Sequence, residues 1–355
     1  MTDRAAPPAD PLAIGALRAI LLTTGALVAF AANSLLCRLA LGAMAIDPAA
    51  FSAIRLVSGA AALWLVSALL GRTAPIGRSG SWISAIMLFA YAAAFSFAYV
   101  DLTAGTGALL LFGSVQATMI FAGLRAGERP HVLAWTGIGI ALSGLIVLVL
   151  PGMQAPSLAG ALLMAAAGIA WGIYSLRGRS GSASRTGATA APGVRTAALQ
   201  GARADAIATT TDHFVRAVPF VLVLALLRAP ALHVSPGGVL LAAISGAVTS
   251  GLGYVIWYAA LPSMTATRAA AVQLTVPALA AAGGVSFLAE APTLRLLAAA
   301  ILILGGVALT GVGRGRAIRS VVERATARGS EPVRRSGPKP DSTAAPGSEP
   351  ARNSD

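Results

Sequence analysis

Long apolar stretches dominate this sequence and determine the solvent in which it can fold. Ten segments of about twenty mostly apolar residues follow one another between residues 17 and 312, separated by short connections. A helix of about twenty apolar residues crosses the hydrocarbon core of a bilayer. Hydrophobic residues make up 56% of the chain and charged residues only 11%, too few to cover a soluble fold. The sequence therefore predicts an integral membrane protein.

The ten segments are predicted to be helices. Inside hydrocarbon, every backbone amide and carbonyl needs a partner within its own segment, and the alternating pattern of a membrane β-strand is absent from the sequence. We therefore expect an all-α fold of ten transmembrane helices. The predicted spans are Leu17–Leu41, Ala49–Leu70, Trp82–Val100, Thr103–Leu124, Val132–Leu150, Leu158–Leu176, Asp212–Leu227, Val239–Ala260, Ala269–Leu288 and Leu294–Val312.

The positions of the arginines predict the orientation in the membrane. Arginines concentrate in every second connection, while the connections between these are poor in them. The arginine-rich positions are Arg72, Arg78, Arg125, Arg129, Arg177, Arg179, Arg185, Arg195, Arg203, Arg268 and the tail from Arg314. The positive-inside rule then places both termini in the cytoplasm of a cell whose inner membrane holds the protein. The net charge of +13 is explained by orientation and by attraction to membrane lipids, so we expect no nucleic-acid partner.

The two halves of the chain repeat a common pattern. Glu128 and Glu290 lie shortly after the fourth and ninth spans, and Gly144 and Gly306 follow the two glutamates at the same distance. Because five helices are an odd number, the second half must cross the membrane in the opposite sense, as in transporters with a central midplane cavity. The predicted organisation is a cytoplasmic segment 1–16, a first five-helix repeat 17–151, a second repeat 152–313 with a flexible cytoplasmic loop 178–211, and a disordered basic tail 314–355.

Several short motifs occur in the order and spacing of a known family. They are Arg55 in the second span, Trp171-Gly172 in the sixth, Tyr258-Ala259-Ala260-Leu261 ahead of the ninth, Val276-Pro277 within it, and Glu290 thirteen residues after Pro277. With these motifs the chain resembles the drug/metabolite transporter superfamily, the ten-helix type with two EamA-like repeats. The resemblance implies a secondary transporter that exports a small organic metabolite, such as an amino acid or a related compound, by alternating access.

Polar amides and aromatic side chains within the spans are the candidates for a substrate cavity. An amide in an apolar helix costs free energy unless it finds a partner or water. Aromatic residues spaced by four share one face of a helix. The candidate cavity residues are Asn33, Tyr91, Phe95, Gln116, Trp171, Tyr174, Tyr254, Trp257 and Gln273. Hydrogen bonds between helices, for the amides, and simple packing, for the aromatic residues, are the alternative interpretations.

Two arginines lie inside predicted spans, where a charge is costly unless it pairs, faces water or snorkels. Arg55 either holds a carboxylate-bearing substrate or anchors a helix end by snorkelling to the interface, and the second interpretation is favoured. Arg216 is its counterpart in the second half and has the same two interpretations. Glu128, Glu290 and Pro277 are expected to have structural roles at helix ends.

The motifs that are absent narrow the classes of function. The sequence has no Walker A motif, no HExxH and no GxSxG, so neither ATP hydrolysis nor a recognisable enzyme is predicted. No span carries an acidic residue near its middle, so proton or ion coupling stays open beside facilitated diffusion. The lone Cys37 predicts no metal or other cofactor. The alternatives to a transporter, as monomer or homodimer, are an intramembrane enzyme, a lipid-handling protein or a membrane scaffold.

Overall fold

The computed structural model describes residues 11–69, 80–127, 132–150, 155–183, 192–260 and 272–309, which contain ten long helices and a short 3-10 helix, Ala229–Ala231. The ten long helices are α1 (Pro11–Gly42), α2 (Pro48–Leu69), α3 (Trp82–Ala98), α4 (Ala104–Arg125), α5 (Val132–Val149), α6 (Leu158–Ala183), α7 (Pro192–Leu227), α8 (Pro236–Ile244, continued by Ser245–Leu252 and Gly253–Ala260), α9 (Thr275–Leu288) and α10 (Leu294–Leu309). A single antiparallel bridge joins Ile46 to Val234 in these ranges. The predicted all-α class is confirmed.

The helices have the length and surface of a membrane protein. Seven of those described, α1, α2 and α4 to α8, contain a segment that is long and apolar enough to cross a bilayer, and α3, α9 and α10 are shorter apolar helices. Large apolar side chains such as Trp64, Val223 and Ile301 are exposed on the outside. Exposed apolar surface on this scale is stable when lipid, not water, surrounds it. The chain is therefore a multi-pass membrane protein.

One predicted segment differs from the structure. The sequence predicts a flexible loop over 178–211, whereas α6 continues to Ala183 and α7 begins at Pro192. The alanine-rich sequence after Pro192 has a high helix propensity, and proline fits the first turn of a helix, which explains the extension. Residues 184–191 and the predicted basic tail from 314 onward lie outside the described residues.

Contacts between helices follow the same pattern in both halves. α3 packs on α6 as α1 packs on α8, α4 packs on α6 as α1 packs on α9, and α2 packs on α8 as α3 packs on α7. If α1 to α5 are exchanged in order with α6 to α10, the first contact of each of these three pairs becomes the second. This is the relation expected of two inverted five-helix repeats. The repeat boundaries at 17–151 and 152–313 stay predictions.

The last helices of the two halves approach each other through glycine. A Cβ atom at Gly306 would lie 2.5 Å from the backbone nitrogen of Ala141 on α5. A Cβ atom at Gly144 would lie 2.7 Å from the Cβ of Leu302 on α10. Only a residue without a side chain permits backbones to come this close, as is common between membrane helices. The two glycines that the repeat relates thus lie in one contact.

Polar contacts join the two halves on one side of the membrane. The connections at 43–47, 99–103, 228–235 and 289–293 lie on this side, which we call the Asp47 face. The Glu290 carboxylate accepts hydrogen bonds from the Ala104 backbone N–H, at 3.0 Å to each oxygen, and so caps the start of α4. Arg38 lies 3.4 Å from Glu290 and also donates to the Val100 carbonyl at 2.8 Å.

A second ion pair lies on the same face. Arg228, after α7, pairs with Asp47, before α2, at 3.5 Å between nitrogen and oxygen. The Asp47 carboxylate also accepts a hydrogen bond from the Ala49 N–H at 2.8 Å, inside the first turn of α2. Asp47 and Glu290 therefore each bind a helix N terminus and a cation from the other half of the chain.

Candidate functional site

A cavity lies between the two halves, surrounded by α1, α3 and α4 of the first half and by α6, α8 and the helical residues just before α9 of the second. In this conformation the cavity is narrow: the centre of a water molecule can occupy a volume of about 20 Å³ in it. The lining residues are Phe30, Asn33, Ser34, Tyr91, Phe95, Leu111, Phe112, Trp171, Thr249, Ser250, Tyr254 and Gln273. These side chains are aromatic, aliphatic or uncharged polar groups. Such a mixture is typical of sites for small organic molecules.

One side of the cavity, which we call the aromatic wall, consists of Tyr91, Phe95, Trp171 and Tyr254, with Trp171 at its centre. The ring centroid of Trp171 is 4.9 Å from that of Tyr91 on α3 and 5.1 Å from that of Tyr254 on α8. Phe95 follows one helical turn after Tyr91, with 5.3 Å between the two ring centroids. Tyr91 of α3 and Tyr254 of α8 therefore both contact the indole ring of Trp171 on α6.

Asn33 is the centre of a buried polar cluster that also lines the cavity. Its side-chain oxygen accepts hydrogen bonds from the Ser245 hydroxyl at 2.7 Å and the Thr249 hydroxyl at 3.1 Å. Its amide nitrogen lies 3.5 Å from the Tyr91 hydroxyl, at the limit of a hydrogen bond. The amide is thus partnered while it lines the cavity, so its hydrogen bonding between helices and its position at the site occur together.

An irregular segment of α8 supplies the hydroxyl groups of this cluster. Residues Ser245–Leu252 form a π-helix, in which each backbone hydrogen bond spans one residue more than in an α-helix. Gly246 in this segment touches α2, since a Cβ atom there would overlap the Ser58 hydroxyl and the Arg55 carbonyl. The close approach of the two backbones brings Ser250 to the side chain of Arg55.

Arg55 lies in the protein interior beside the cavity. Its side chain is only 2% exposed, so the favoured prediction that it snorkels to the interface is wrong. The guanidinium donates to the Tyr91 hydroxyl at 3.0 Å and to the Ser250 hydroxyl at 3.3 Å. Its central carbon lies 5.0 Å from the ring centroid of Phe95. Snorkelling fails because Arg55 lies two turns inside α2, on the face that packs against α3 and α8.

Three predicted cavity residues are buried near the cavity but are not among its lining residues. Gln116 lies one turn after Phe112 on α4, and its amide nitrogen has no hydrogen-bond partner. Tyr174 packs behind Trp171 and lies 3.2 Å from a ring nitrogen of His213. The third residue, Trp257, packs with its ring centroid 5.8 Å from that of Phe30.

The remaining candidates lie away from the cavity. Arg216 is half-buried on α7, with its guanidinium carbon 5.1 Å from the ring centroid of Trp82. Pro277 is buried in the first turn of α9, where a proline needs no backbone donor. Glu290 belongs to the Asp47 face described above. Glu128 and the side chain of Tyr258 lie outside the described residues.

The sequence does not predict several lining residues, among them Phe30, Thr249 and Ser250. The signal available for the last two is the run of small and polar residues from Ser245 to Gly251 inside an apolar span. Within the described ranges, no three acidic, histidine or cysteine side chains come together as a metal site would require. Cys37 is buried and free.

A family model matches residues 158–312, which include α6 to α10, and it describes the EamA-like transporter family. The chain belongs to the EamA-like transporter family. Members of this family are membrane transporters of the drug/metabolite transporter type. The matched half carries the Trp171-Gly172 and Val276-Pro277 motifs.

Two other comparisons show similar proteins. The Pseudomonas aeruginosa protein described as "Uncharacterized protein PA1977" is 47% identical over 303 residues, which are 85% of this chain and 98% of that protein. A solved structure described as "Crystal structure of protein" has a TM-score of 0.55 and 19% identity, and covers 81% of this chain and 95% of its own. At this identity the second comparison shows a shared fold only.

Proposed function

We propose that this EamA-like protein is a secondary transporter that moves a small organic metabolite through the central cavity by alternating access. The cavity itself is the observation that carries the proposal, because three helices of each half surround it. Rocking of one inverted half against the other exposes such a site first to one side of the membrane and then to the other. The aromatic wall and the Asn33 cluster would bind the apolar and polar parts of the metabolite.

The proposal includes an orientation and a direction. The distribution of arginines favours an inner-membrane protein with both termini in the cytoplasm, so that the Asp47 face lies outside. The resemblance to exporters favours outward movement. Reporter fusions after Gly80 and Ser180 should then report the cytoplasm, and a fusion after Thr103 should report the outer side. A cytoplasmic signal at Thr103 would contradict the orientation.

Thiol labelling tests the cavity without knowledge of the metabolite. In a Cys37→Ala background, Trp171→Cys and Gln273→Cys place a thiol in the cavity. Leu162→Cys on α6 and Leu279→Cys on α9 are the matched controls, because these residues are exposed on the lipid-facing surface. A thiol reacts as its thiolate, which forms only in contact with water. We expect a membrane-impermeant reagent to label the two cavity positions and neither control.

The outcomes distinguish the proposal from its alternatives. If the cavity positions stay as unreactive as the two controls on both sides, while a cysteine at Asp101 reacts, the helices form a solid bundle. A solid bundle would favour a membrane scaffold. Labelled cavity positions together with a chemically altered compound in metabolite profiles of producing cells would favour an enzyme. Labelled positions with a compound that only changes compartment would support the transporter.

A further inference from the structure

We infer that the cavity binds the carboxylate group of an organic monoanion and that Arg55 is the residue that binds it. The inference rests on the proposed function, because it names the class of metabolite for the same cavity. Three observations carry it: Arg55 has no acidic partner among the described residues, its guanidinium lies behind the cavity wall, and the wall fits an anion with an apolar organic part.

The positive charge of Arg55 is buried without an acidic partner. Its hydrogen-bond acceptors are the neutral hydroxyls of Tyr91 and Ser250, and no described Asp or Glu forms an ion pair with it. The second terminal nitrogen, Nη1, is buried and has no hydrogen-bond partner at all. A guanidinium offers five donors, and a charge in the membrane interior is costly unless something compensates for it. Among the described residues, Arg55 therefore has no anion that balances its charge.

The guanidinium does not itself line the cavity and lies behind residues that do. Tyr91, Phe95 and Ser250, which all line the cavity, are the groups that contact it. Rotation of the Tyr91 and Ser250 hydroxyls lets each of them donate to an anion that Arg55 also binds. A carboxylate matches the planar guanidinium with two parallel hydrogen bonds.

The rest of the lining restricts the class of anion. Among the described residues no cation lines the cavity, so Arg55 behind its wall matches a single negative charge and a phosphate dianion is not matched. The aromatic groups of Phe30, Phe112, Trp171 and Tyr254 surround the space in which the organic part would lie. Among the described residues, no carboxylate lines the cavity, so an ammonium group would find no acidic partner there. An aromatic or aliphatic monocarboxylate fits these walls better than an amine does.

Three probes of one shape test the inference on the full-length protein in lipid nanodiscs. Phenylacetate carries the negative charge, phenylacetamide is its neutral analogue and phenethylamine carries a positive charge. We expect calorimetric titration of the wild-type protein to give a Kd for phenylacetate at least tenfold lower than for either analogue. Empty nanodiscs correct for partition into lipid. Equal binding of the acid and the amide, or no binding of any probe by folded protein, would overturn the inference.

Variants test the role of Arg55 itself. Arg55→Gln should remove the preference for phenylacetate over phenylacetamide, and Arg55→Lys should keep part of it. Arg125→Gln, an exposed arginine at the end of α4, is the matched control and should keep the full preference. If Arg55→Gln does not fold, Tyr91→Phe and Ser250→Ala should each change the preference more than the control does. A folded Arg55→Gln protein with wild-type preference would exclude Arg55.

The failure of this inference is distinguishable from the failure of the transporter proposal. Labelling of Trp171→Cys and Gln273→Cys does not depend on the charge of the ligand. If these thiols react while the three probes bind equally, the cavity remains and its preference for an anion is excluded. If the thiols do not react, both proposals fall together.

Discussion

The two halves of this transporter meet in two different ways. At the Asp47 face, and along α5 and α10, the contacts are complete: Glu290 binds both Arg38 and the start of α4, and Gly306 lies against α5 without space for a methyl group. At the cavity the contacts are incomplete, because Arg55 is paired only with hydroxyls and one of its nitrogens has no partner. The halves are thus joined by paired charges and close helix contacts at the edges, while the middle holds a buried charge without an ionic partner.

The difference shows how stability and binding are divided between regions. Paired charges and close helix contacts stabilise one arrangement of the halves. A buried cation without an acidic partner destabilises the fold, because the cost of its desolvation is not offset until an anion binds. If this contrast is correct, substitutions at the edges change stability strongly, while substitutions at the cavity change stability little and binding strongly.

The largest effect is expected from Gly306→Leu. Its side chain would overlap the backbone of Ala141 and separate α5 from α10, at a cost of about 3 kcal/mol or more. The neighbouring Gly305→Leu is the matched control, since nothing lies within 4 Å of a Cβ atom there. Thermal unfolding in detergent measures both. Equal unfolding temperatures for the two variants would show that α10 does not pack on α5.

A smaller loss of stability is expected from Glu290→Ala. The variant removes a helix cap and the partner of Arg38, which together contribute about 2 kcal/mol. Glu290→Gln keeps one acceptor oxygen and should lose less. Asp101→Ala, an exposed acid on the same face, is the control and should change stability by about 0.5 kcal/mol or less. If Glu290→Ala unfolds at the same temperature as the control, the edge contact is not a stabilising one.

The smallest effect on stability is expected at the cavity, from Asn33→Ala. The hydroxyls of Ser245 and Thr249 lose their acceptor, but water in the cavity can replace it, so the cost should be about 1 kcal/mol. Binding of phenylacetate should weaken at the same time, because Asn33 also contacts Tyr91. A loss above about 3 kcal/mol would place Asn33 among the structural contacts and remove the contrast.

Much of the fold is predictable from the sequence because lipid imposes strict requirements. Apolar length predicts the helices, and the paired glutamates and glycines predict the repeat, including the contact at Gly144 and Gly306. The helical spacing of Tyr91 and Phe95 correctly puts both on one face. The loop predicted over 178–211 is partly helix, since alanine-rich sequence remains helical beyond the membrane.

The site itself depends on tertiary packing that no local pattern reveals. The sequence places Arg55 inside a span but cannot show whether its long side chain turns to the interface or to the interior. That choice follows from Gly246, which brings α8 against α2, and from the π-helix that turns Ser250 toward the guanidinium. Trp171 could be proposed as a cavity residue from sequence, but its contacts with both α3 and α8 could not.

A reversible lock across the Asp47 face tests alternating access most directly. Ile46 and Val234 face each other in a non-hydrogen-bonded antiparallel pair, a geometry that suits a disulfide between Ile46→Cys and Val234→Cys. The reporter is Gln273→Cys in the Cys37→Ala background. We predict that an impermeant thiol reagent on the Asp47 side labels the reporter in the reduced protein and at least tenfold more slowly in the oxidised one, while labelling from the opposite side continues in both. An equal rate from the Asp47 side in both forms would contradict the account.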